Sequence, residues 1–392
     1  MWEKVKLGEI CEIINGYAFK SSKYVETNGA RVIRITNVQK GKIVDNDPKL
    51  YPFNLLDKLD NFEIKENDIL MSLTGNVGRV GLFPKELLPA YLNQRVCKIT
   101  PLSERISKKY LYHYLNSSIF EIEAINASGG AAQLNLSSSW VSKHEIPLPP
   151  LHIQEKIADI LDKADELRRK DQELQNKYDQ LAQAIFIDMF GDPVKNEKGF
   201  RSGTIRDLVK EVKYGTSSPA QENGMYPYLR MNNITYNGSW DYSSIKYINA
   251  TESDYLKYGL EYGDLIFNRT NSKELVGKTA VYKSLEKVII AGYLIRVRVN
   301  NLAHPDYISA YLNSKHGKKT LVSMCKNIVG QANINAQELQ DIKILIPPIH
   351  LQEEFAKKIE IIHQLKAQTN AEKSEELFQS LLQKAFKGEL VS

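Results

Sequence analysis

Cysteine is scarce in this 392-residue chain. Its three cysteines, Cys11, Cys97 and Cys325, stand far apart and are odd in number. This arrangement excludes a disulfide framework and favours a reduced, cytoplasmic setting. The seven histidines are scattered as well, so we expect neither a metal site nor a cofactor.

Long apolar runs are also missing. The longest, VIIAGYLI (288–295), is far shorter than the roughly 20 residues that a membrane-spanning helix needs, and it fits a buried strand. The first ten residues, MWEKVKLGEI, lack the apolar run of a signal peptide. We therefore expect no association with a membrane.

No catalytic motif is present either. The segment SKELVGKT (272–279) comes near to the phosphate-binding loop, but Ser272 stands where that pattern needs its first glycine. GNVGRVG (75–81) has the wrong spacing for a dinucleotide-binding loop. We therefore expect no catalytic residues. The net charge of +5 permits contact with nucleic acid through a local basic face without requiring it.

The sequence does contain one internal repeat. IPLPPLHIQEKIADIL (146–161) returns as ILIPPIHLQEEFAKKI (344–359), which places Pro150 and Pro348 198 positions apart. Shorter matches precede these segments and have the same order in both halves, at offsets of 196 to 198: ENDILM with YGDLIF, YLYHYLNS with YISAYLNS, and QLNL with QANI. Matches in one order with a slowly drifting offset indicate two halves built on one scaffold.

Each half divides into a globule and a helix. The globules mix short β-rich runs with Gly and Asn turns and one short helix, which predicts a mixed α/β (α+β) fold. A Pro-Pro pair follows each globule and predicts a helix start, because proline is tolerated in a first helical turn. The predicted segments are a first globule (1–148), a first helix (149–191), a linker (192–200), a second globule (201–346) and a second helix (347–390).

Apolar residues in both helices recur at spacings of three and four, as in a coiled coil. One amphipathic helix cannot bury its stripe alone, so we predict an antiparallel coiled coil of the two helices with pseudo-two-fold symmetry. Gly191 and Gly388 are expected to end the helices in the left-handed conformation. The predicted seam, which could also receive a partner protein, consists of Ile157, Ile160, Leu167, Leu174, Leu181, Phe355, Ile362, Leu365 and Leu381.

Together these features resemble the specificity subunit of type I restriction-modification systems, over essentially the whole chain. The resemblance is carried by the paired PP-[LI]-H-x-Q-E segments, the Q-x-N-[LI] loops, the YLNS helices and the closing FGD and FKGEL. It implies that each globule is a target recognition domain, that each helix is a conserved spacer, and that the subunit itself is not an enzyme. Because the two globules differ, the two DNA half-sites should differ too.

The same resemblance implies the partners. They are double-stranded DNA, two modification (methyltransferase) subunits and, through these, restriction subunits. The assembled complex would be an ATP-dependent endonuclease and adenine-specific DNA methyltransferase. A rival interpretation is a structural coiled-coil adaptor without DNA sequence recognition.

Candidate DNA-contacting residues lie in polar loops that recur in both halves. Reading of bases needs Arg, Lys, Asn, Gln, Ser or Thr on exposed loops, and phosphate contact needs Lys, Arg and small polar groups. The candidates are Lys40, Ser72, Thr74, Asn76, Arg79, Gln133, Asn135, Asn232, Asn268, Arg269, Asn271, Lys273, Lys278, Gln331 and Asn333.

These candidates divide into two expected roles. Residues kept in both halves cannot easily explain different half-sites, so we assign phosphate contact or loop folding to Gln133, Asn135, Gln331 and Asn333. Base reading is assigned to Asn76, Arg79, Arg269, Asn271 and Lys273. The repeated Arg34 and Arg230 are alternatively expected to brace each fold by pairing with Asp68 and Asp264.

Overall fold

A computed structural model of the chain describes residues 2–102, 104–129, 134–325 and 332–391. Its contacts divide the chain into two units. The first unit comprises Met1–Gln172 and Asn370–Ser392, and the second comprises Glu173–Thr369. Each unit therefore joins one globule to a piece of both helical regions, whereas the sequence predicts five consecutive segments.

The helices and strands alternate through both globules. The helices are α1 (Leu7–Ile10), α2 (Lys108–Leu115), α3 (Ser118–Ala127), α4 (Ser138–Lys143), α5 (Leu151–Phe190), α6 (Glu252–Tyr258), α7 (Pro305–Asn313), α8 (Lys315–Met324), α9 (Ala336–Gln340), α10 (Ile349–Gln368) and α11 (Ala371–Lys387). The strands of the first globule are β1 (Lys4–Lys6), β2 (Cys11–Asn15), β3 (Gly29–Ile33), β4 (Val38–Gln39), β5 (Lys42–Ile43), β6 (Leu50–Pro52), β7 (Glu63–Ile64), β8 (Ile69–Ser72), β9 (Val80–Leu82), β10 (Ala90–Leu92), β11 (Val96–Pro101) and β12 (Glu145–Pro147). Those of the second are β13 (Arg201–Thr204), β14 (Val209–Tyr214), β15 (Tyr226–Leu229), β16 (Lys246–Ile248), β17 (Leu265–Asn268), β18 (Thr270–Asn271), β19 (Thr279–Val281), β20 (Ile289–Ile290), β21 (Leu294–Val299), β22 (Ala332–Asn333) and β23 (Lys343–Ile346).

The two globules share one sheet topology. In the first, an antiparallel sheet has the order β2-β11-β8-β9, and in the second the order β14-β21-β17-β19. A second sheet contains one parallel pair in each globule, β3 with β10 and β15 with β20. A two-stranded sheet joins the first strand to the last, β1 to β12 and β13 to β23. The predicted fold class is therefore confirmed, and the weak sequence repeat corresponds to a repeated architecture.

A strand that is buried on both faces lies at the centre of each unit. Strand β8 is buried along its whole length, as is β17, which is consistent with their position inside a four-stranded sheet covered by helices. The main core of the first unit combines β8 with α2, the beginning of α5 and the end of α11. The main core of the second unit combines β17 with α7, the end of α5 and α10.

The predicted helix starts and ends agree with the structure. Helix α5 begins at Leu151 and α10 at Ile349, each directly after its Pro-Pro pair. Gly191 has a φ of +75° and Gly388 a φ of +81°, so both adopt the left-handed conformation that glycine tolerates best. Helix α5 has 40 residues, which corresponds to roughly 60 Å of length at about 1.5 Å per residue.

The second helical region differs from the prediction of one helix over 347–390. Helix α10 ends at Gln368 and α11 begins at Ala371. The break falls in the polar stretch KAQTNAEKSEE (366–376), where Thr369 and Asn370 are weak helix formers. The Lys366 carbonyl at the end of α10 accepts hydrogen bonds from the Thr369 hydroxyl (2.7 Å) and from the Gln175 amide (3.1 Å). The break thus leaves this carbonyl satisfied.

Within each unit, α5 contacts a helix of the second helical region. In the first unit, Arg168 of α5 donates to Glu375 (3.1 Å) and lies 4.7 Å above the Phe378 ring of α11. In the second unit, Gln175 contacts Lys366, whereas Phe190, farther along α5, packs 5.3 Å from Phe355 of α10. In the second unit, residue numbers thus rise along α5 as they fall along α10, so these two helices run antiparallel.

The buried face of α5 is not the one that the heptad pattern predicts. Leu167, Leu174 and Leu181 are 48%, 38% and 46% exposed, because the globules and the partner helices cover the adjacent face of α5. Of the other predicted seam residues, Leu365 is 38% exposed and Ile160 and Leu381 are half-buried. Ile157, Phe355 and Ile362 are buried. The face that α5 does bury comprises Ile157, Ala158, Leu161, Ala164, Phe186 and Phe190.

Candidate nucleic-acid interface

In the first unit, the structure brings together two of the predicted loops. The loop after β8 pairs with the segment before α4 through hydrogen bonds from the Gly75 amide to the Leu134 carbonyl (2.9 Å) and from the Leu136 amide to the Leu73 carbonyl (2.7 Å). The Thr74 hydroxyl donates to the Asn135 side chain (3.3 Å). The DNA candidates Thr74 and Asn135 therefore lie on one paired loop.

The second unit repeats this pairing in the same place. Strand β18, which follows β17, pairs antiparallel with β22, so that Thr270 lies opposite Asn333 and Asn271 opposite Ala332. The Ile334 amide donates to the Arg269 carbonyl (2.9 Å). We call the two paired segments of each unit its loop pair: 72–79 with 134–136, and 268–278 with 332–334.

Two candidates cannot be placed on these loops. Gln133 and Gln331 lie outside the described residues. Their neighbours Asn135 and Asn333 are both exposed. The expected role of these asparagines in phosphate contact or loop folding stays a prediction.

Arg269 occupies a prepared position in the second loop pair. Its guanidinium lies 4.8 Å from the centre of the Tyr214 ring, a favourable cation–π distance. Tyr214 is itself fixed, because its hydroxyl accepts a hydrogen bond from the Ala336 amide (2.9 Å). Among the described residues, no acidic side chain forms an ion pair with Arg269, and its Nε is buried without a partner. The guanidinium of Arg269 is therefore positioned by the Tyr214 ring and not by an acidic partner.

In the first unit, the basic candidates Arg79 and Lys40 already have side-chain partners. Arg79 donates to the Gln39 side chain (2.6 Å), and Lys40 forms an ion pair with Glu121. Asn76, at the tip of the loop, is exposed. Contact of Arg79 or Lys40 with DNA would first require exchange of these partners.

Three candidates are buried and hold the loops instead, which contradicts their predicted contact with DNA. Ser72 and Asn268 have 0% exposure, and Lys278 has 7%. The Ser72 hydroxyl donates to the Asn76 carbonyl, and the Asn268 side chain accepts from the Thr270 amide (3.4 Å).

Lys278 has a structural partner as well. Its ammonium donates to the Met231 carbonyl (2.6 Å), and burial lowers the pKa of this lysine. The sequence pattern missed this burial because a lysine in a glycine-containing loop is usually solvated. Two other candidates remain accessible: Lys273 is exposed, and exposed Asn232 donates to the Ser244 hydroxyl (3.0 Å).

The repeated arginines do not pair with the aspartates that the sequence suggested. Arg34 donates to the Asp47 carbonyl and Arg230 to the Ser244 carbonyl, both at 2.8 Å. Asp264 instead accepts from Arg298 (2.8 Å). The repeated arginines thus close equivalent loops, because a carbonyl 13 or 14 residues later lies nearer to each guanidinium than the aspartate does.

A buried glutamine in each half was missed by the sequence analysis. Gln154 and Gln352, the glutamines of the two PP-[LI]-H-x-Q-E segments, have 0% exposure. Gln154 donates to the Arg105 and Pro149 carbonyls (both 2.8 Å) and accepts from the Ser107 amide (2.9 Å). Its recurrence at an offset of 198 was the available signal.

Gln352 makes the equivalent contacts in the second unit. It donates to the Leu302 (3.1 Å) and Pro347 (2.8 Å) carbonyls and accepts from the His304 amide (2.9 Å). Each glutamine therefore ties the start of its helix to the loop that precedes α2 or α7. This contact orients the globule on the helix that follows it.

Other classes of site are not evident in the described part of the chain. No group of three or more His, Cys, Asp or Glu side chains there is arranged to hold a metal ion. Among the same residues, no helix has the length and apolar character needed to cross a membrane. The loop pairs are thus the strongest candidate site.

Two globules of one topology, each with a polar loop pair and a following helix, define a duplicated two-domain architecture. The chain belongs to the family described as the type I restriction modification DNA specificity domain, whose model matches residues 1–176 and 197–379. The two matched stretches correspond to the two halves of the repeat. The resemblance noted from the sequence is therefore confirmed.

Similar proteins are named as specificity (S) subunits of type I restriction systems. The chain is 25% identical over 418 residues to the type I restriction enzyme EcoKI specificity subunit of Escherichia coli (strain K12), covering 100% of this chain and 89% of that protein. It is 33% identical over 179 residues to the type I restriction enzyme MjaVIII specificity subunit of Methanocaldococcus jannaschii, covering 44% and 42%. The crystal structure of a type I restriction-modification S subunit from M. genitalium has the same fold, with a TM-score of 0.59, 18% identity and coverage of 98% and 96%.

Proposed function

We propose that this chain selects the DNA site of a type I restriction-modification enzyme. Each unit reads one half-site with its loop pair, and the two half-sites differ in sequence and stand at a constant spacing. The chain contributes recognition, whereas methylation, ATP-driven translocation and cleavage belong to the other subunits of the complex.

The repeated loop pair is the observation that carries this proposal. Both units use the same strand order to bring a loop after β8 or β17 against a segment near the end of the globule. The side chains presented there differ: Asn76 and Arg79 in the first unit, Arg269, Asn271 and Lys273 in the second. A common scaffold with different polar contents is suited to reading two different base sequences.

Partner binding is the second part of the proposal. Leu167 in the first unit and Leu174 and Leu181 in the second are exposed on α5, and exposed apolar side chains at regular helical spacing commonly receive another helix. We assign these leucines to the docking of two modification subunits, which in turn bind the restriction subunits.

Selection from a DNA library tests the recognition proposal. The complex of the chain with its modification subunit is expected to enrich one sequence with two defined half-sites from randomised duplexes. Arg269→Gln should relax the preference at one or two positions of one half-site, by about 1–3 kcal/mol for a lost bidentate contact to a base. The other half-site should be unchanged.

Arg206→Gln is the matched control. Arg206 lies in the same unit, and its guanidinium forms an exposed ion pair with Asp341 (2.7 Å), so its loss should leave the selected sequence unchanged. If the wild-type complex enriches no sequence at all, the chain is a structural adaptor and the proposal is wrong.

A further inference from the structure

A cleft lined by lysines lies beside the second loop pair. Its volume is about 800 Å³, and its walls include Lys273 of the loop pair, Lys315, Lys318 and Lys319 of α8, and the Tyr236 ring. All of these residues belong to the second unit. The cleft therefore connects a candidate base-reading loop to a helix that the sequence analysis did not single out.

Local packing fixes which face of α8 lines the cleft. Leu321 is buried beneath the helix, and Gly317 packs so closely on α7 that a Cβ atom there would lie 2.2 Å from the Tyr311 carbonyl oxygen. The three lysines of α8 follow the spacing i, i+3, i+4 and thus lie on one side of the helix, where Lys318 is half-buried. Lys315 and Lys319 are exposed on it.

The second loop pair is held directly against this helix. Gly277, at a φ of +78°, faces Leu321 so closely that a Cβ atom would lie 2.6 Å from the leucine side chain. The Gly277 carbonyl also lies 3.5 Å from the Lys318 ammonium. A ligand that reaches Arg269 or Asn271 on the loop pair is thereby brought near the lysines of α8.

The positive charge of the cleft is not neutralised within the described residues. Lys273, Lys315, Lys318 and Lys319 form no ion pair there with an acidic side chain. The Lys318 ammonium lies 4.7 Å from the centre of the Tyr236 ring, and burial together with nearby Lys278 lowers its pKa to about 8. Like charges three and four residues apart destabilise a helix, and Lys315 also stands at its positive end. A bound anion would reduce both the repulsion between the lysines and the unfavourable interaction of Lys315 with the helix dipole.

We propose that this cleft binds the phosphodiester backbone of the second DNA half-site, with Lys315, Lys318 and Lys319 as phosphate contacts. The inference rests on the proposed function and adds the surface that positions the DNA against the second loop pair. Phosphate contacts carry no sequence information but determine orientation and much of the affinity.

The equivalent helix of the first unit, α3, contains no lysine or arginine. Helices α3 and α8 both follow a YLNS segment, and the serines that cap them, Ser117 and Ser314, correspond in the repeat. At the position of Lys318, α3 has Glu121, which forms an ion pair with Lys40. Attraction of the DNA backbone through this helix is therefore confined to the second half-site.

The test measures affinity and its salt dependence for the complex of the full chain with its modification subunit. Lys315→Gln/Lys319→Gln should bind the selected duplex on the order of 10–100-fold more weakly near ~0.1 M salt, and the slope of log K against log salt should be shallower by about 1.8 for two lost phosphate contacts. The preferred sequence should not change. Since both side chains are exposed and their like charges disfavour the helix, the melting temperature of the free chain should not fall.

Lys246→Gln/Lys287→Gln is the control, because it removes the same number of positive charges as the α8 variant. These lysines of the second unit pair with Glu222 and Glu252, so this variant should keep both the affinity and the salt slope. If the wild type binds sequence-selectively and the α8 variant binds with unaltered affinity, the cleft does not bind the DNA backbone. The proposed function would remain intact in that case. If the wild type shows no sequence preference, the proposed function is refuted. If the wild type binds single-stranded RNA more tightly than duplex DNA, the cleft binds a ligand other than duplex DNA and the proposal for the cleft is wrong.

Discussion

Replacement of Gln154 by alanine tests whether the buried glutamine ties the first globule to α5. The side chain is fully buried and makes three hydrogen bonds of 2.8–2.9 Å to backbone groups on both sides of the junction. At about 1 kcal/mol for each hydrogen bond, with a further contribution from the cavity, Gln154→Ala should destabilise the first unit by about 2–4 kcal/mol.

Cysteine labelling can locate this loss. Cys11 and Cys97 are buried in the first unit, and burial raises the pKa of both thiols to about 12. Alkylation therefore requires opening of the unit, and its rate follows the population of the open form when closing is fast. A loss of about 2–4 kcal/mol should raise the labelling rate of both cysteines about 30- to 1000-fold, as measured by mass spectrometry of the labelled peptides.

Two further variants complete the experiment. Gln352→Ala should accelerate the labelling of Cys325, which is buried in the second unit. Gln180→Ala removes an exposed glutamine of α5 and should change no labelling rate. If Gln154→Ala labels Cys11 and Cys97 no faster than Gln180→Ala does, the glutamine does not stabilise the junction and the reasoning is wrong.

The structure supports two more predictions. Burial lowers the pKa of His144 from 6.5 to about 4, although Glu123 lies 3.5 Å from its ring. Between pH 4 and 6.5 the unfolded chain therefore binds more protons than the folded chain does. The free energy of unfolding should be constant above pH 6.5 and should fall by up to about 3 kcal/mol as the pH drops to 4. Urea titrations across this range should show a flatter pH dependence for His144→Gln, and an equal slope would contradict the assignment. Leu174→Glu/Leu181→Glu should weaken co-purification with the modification subunit without changing the melting temperature, whereas Leu256→Glu, at an exposed leucine of α6, should change neither. Unchanged assembly of the α5 variant would remove these leucines from the proposed docking surface.

Local signals and the internal repeat predicted the two globules and the starts of the helices that follow them. The Pro-Pro pairs predicted the starts of α5 and α10, and Gly191 and Gly388 predicted the left-handed ends of α5 and α11. The repeat predicted two globules of one fold, because matching landmarks in one order require a shared scaffold. The loops after β8 and β17 were also identified, since glycine and asparagine turns after buried strands are visible without tertiary contacts.

Which residues are buried was decided only by the tertiary structure. Heptad spacing does not specify which of two adjacent helix faces is buried. Packing against the globules buries the face of Leu161 and Ala164 and leaves Leu167 exposed. Likewise, Lys278 is buried through a carbonyl 47 residues away, whereas Lys315 and Lys319 line an open cleft. Periodicity and turn composition are local properties, but the burial of a polar side chain depends on partners far along the chain, and no spacing rule specifies them.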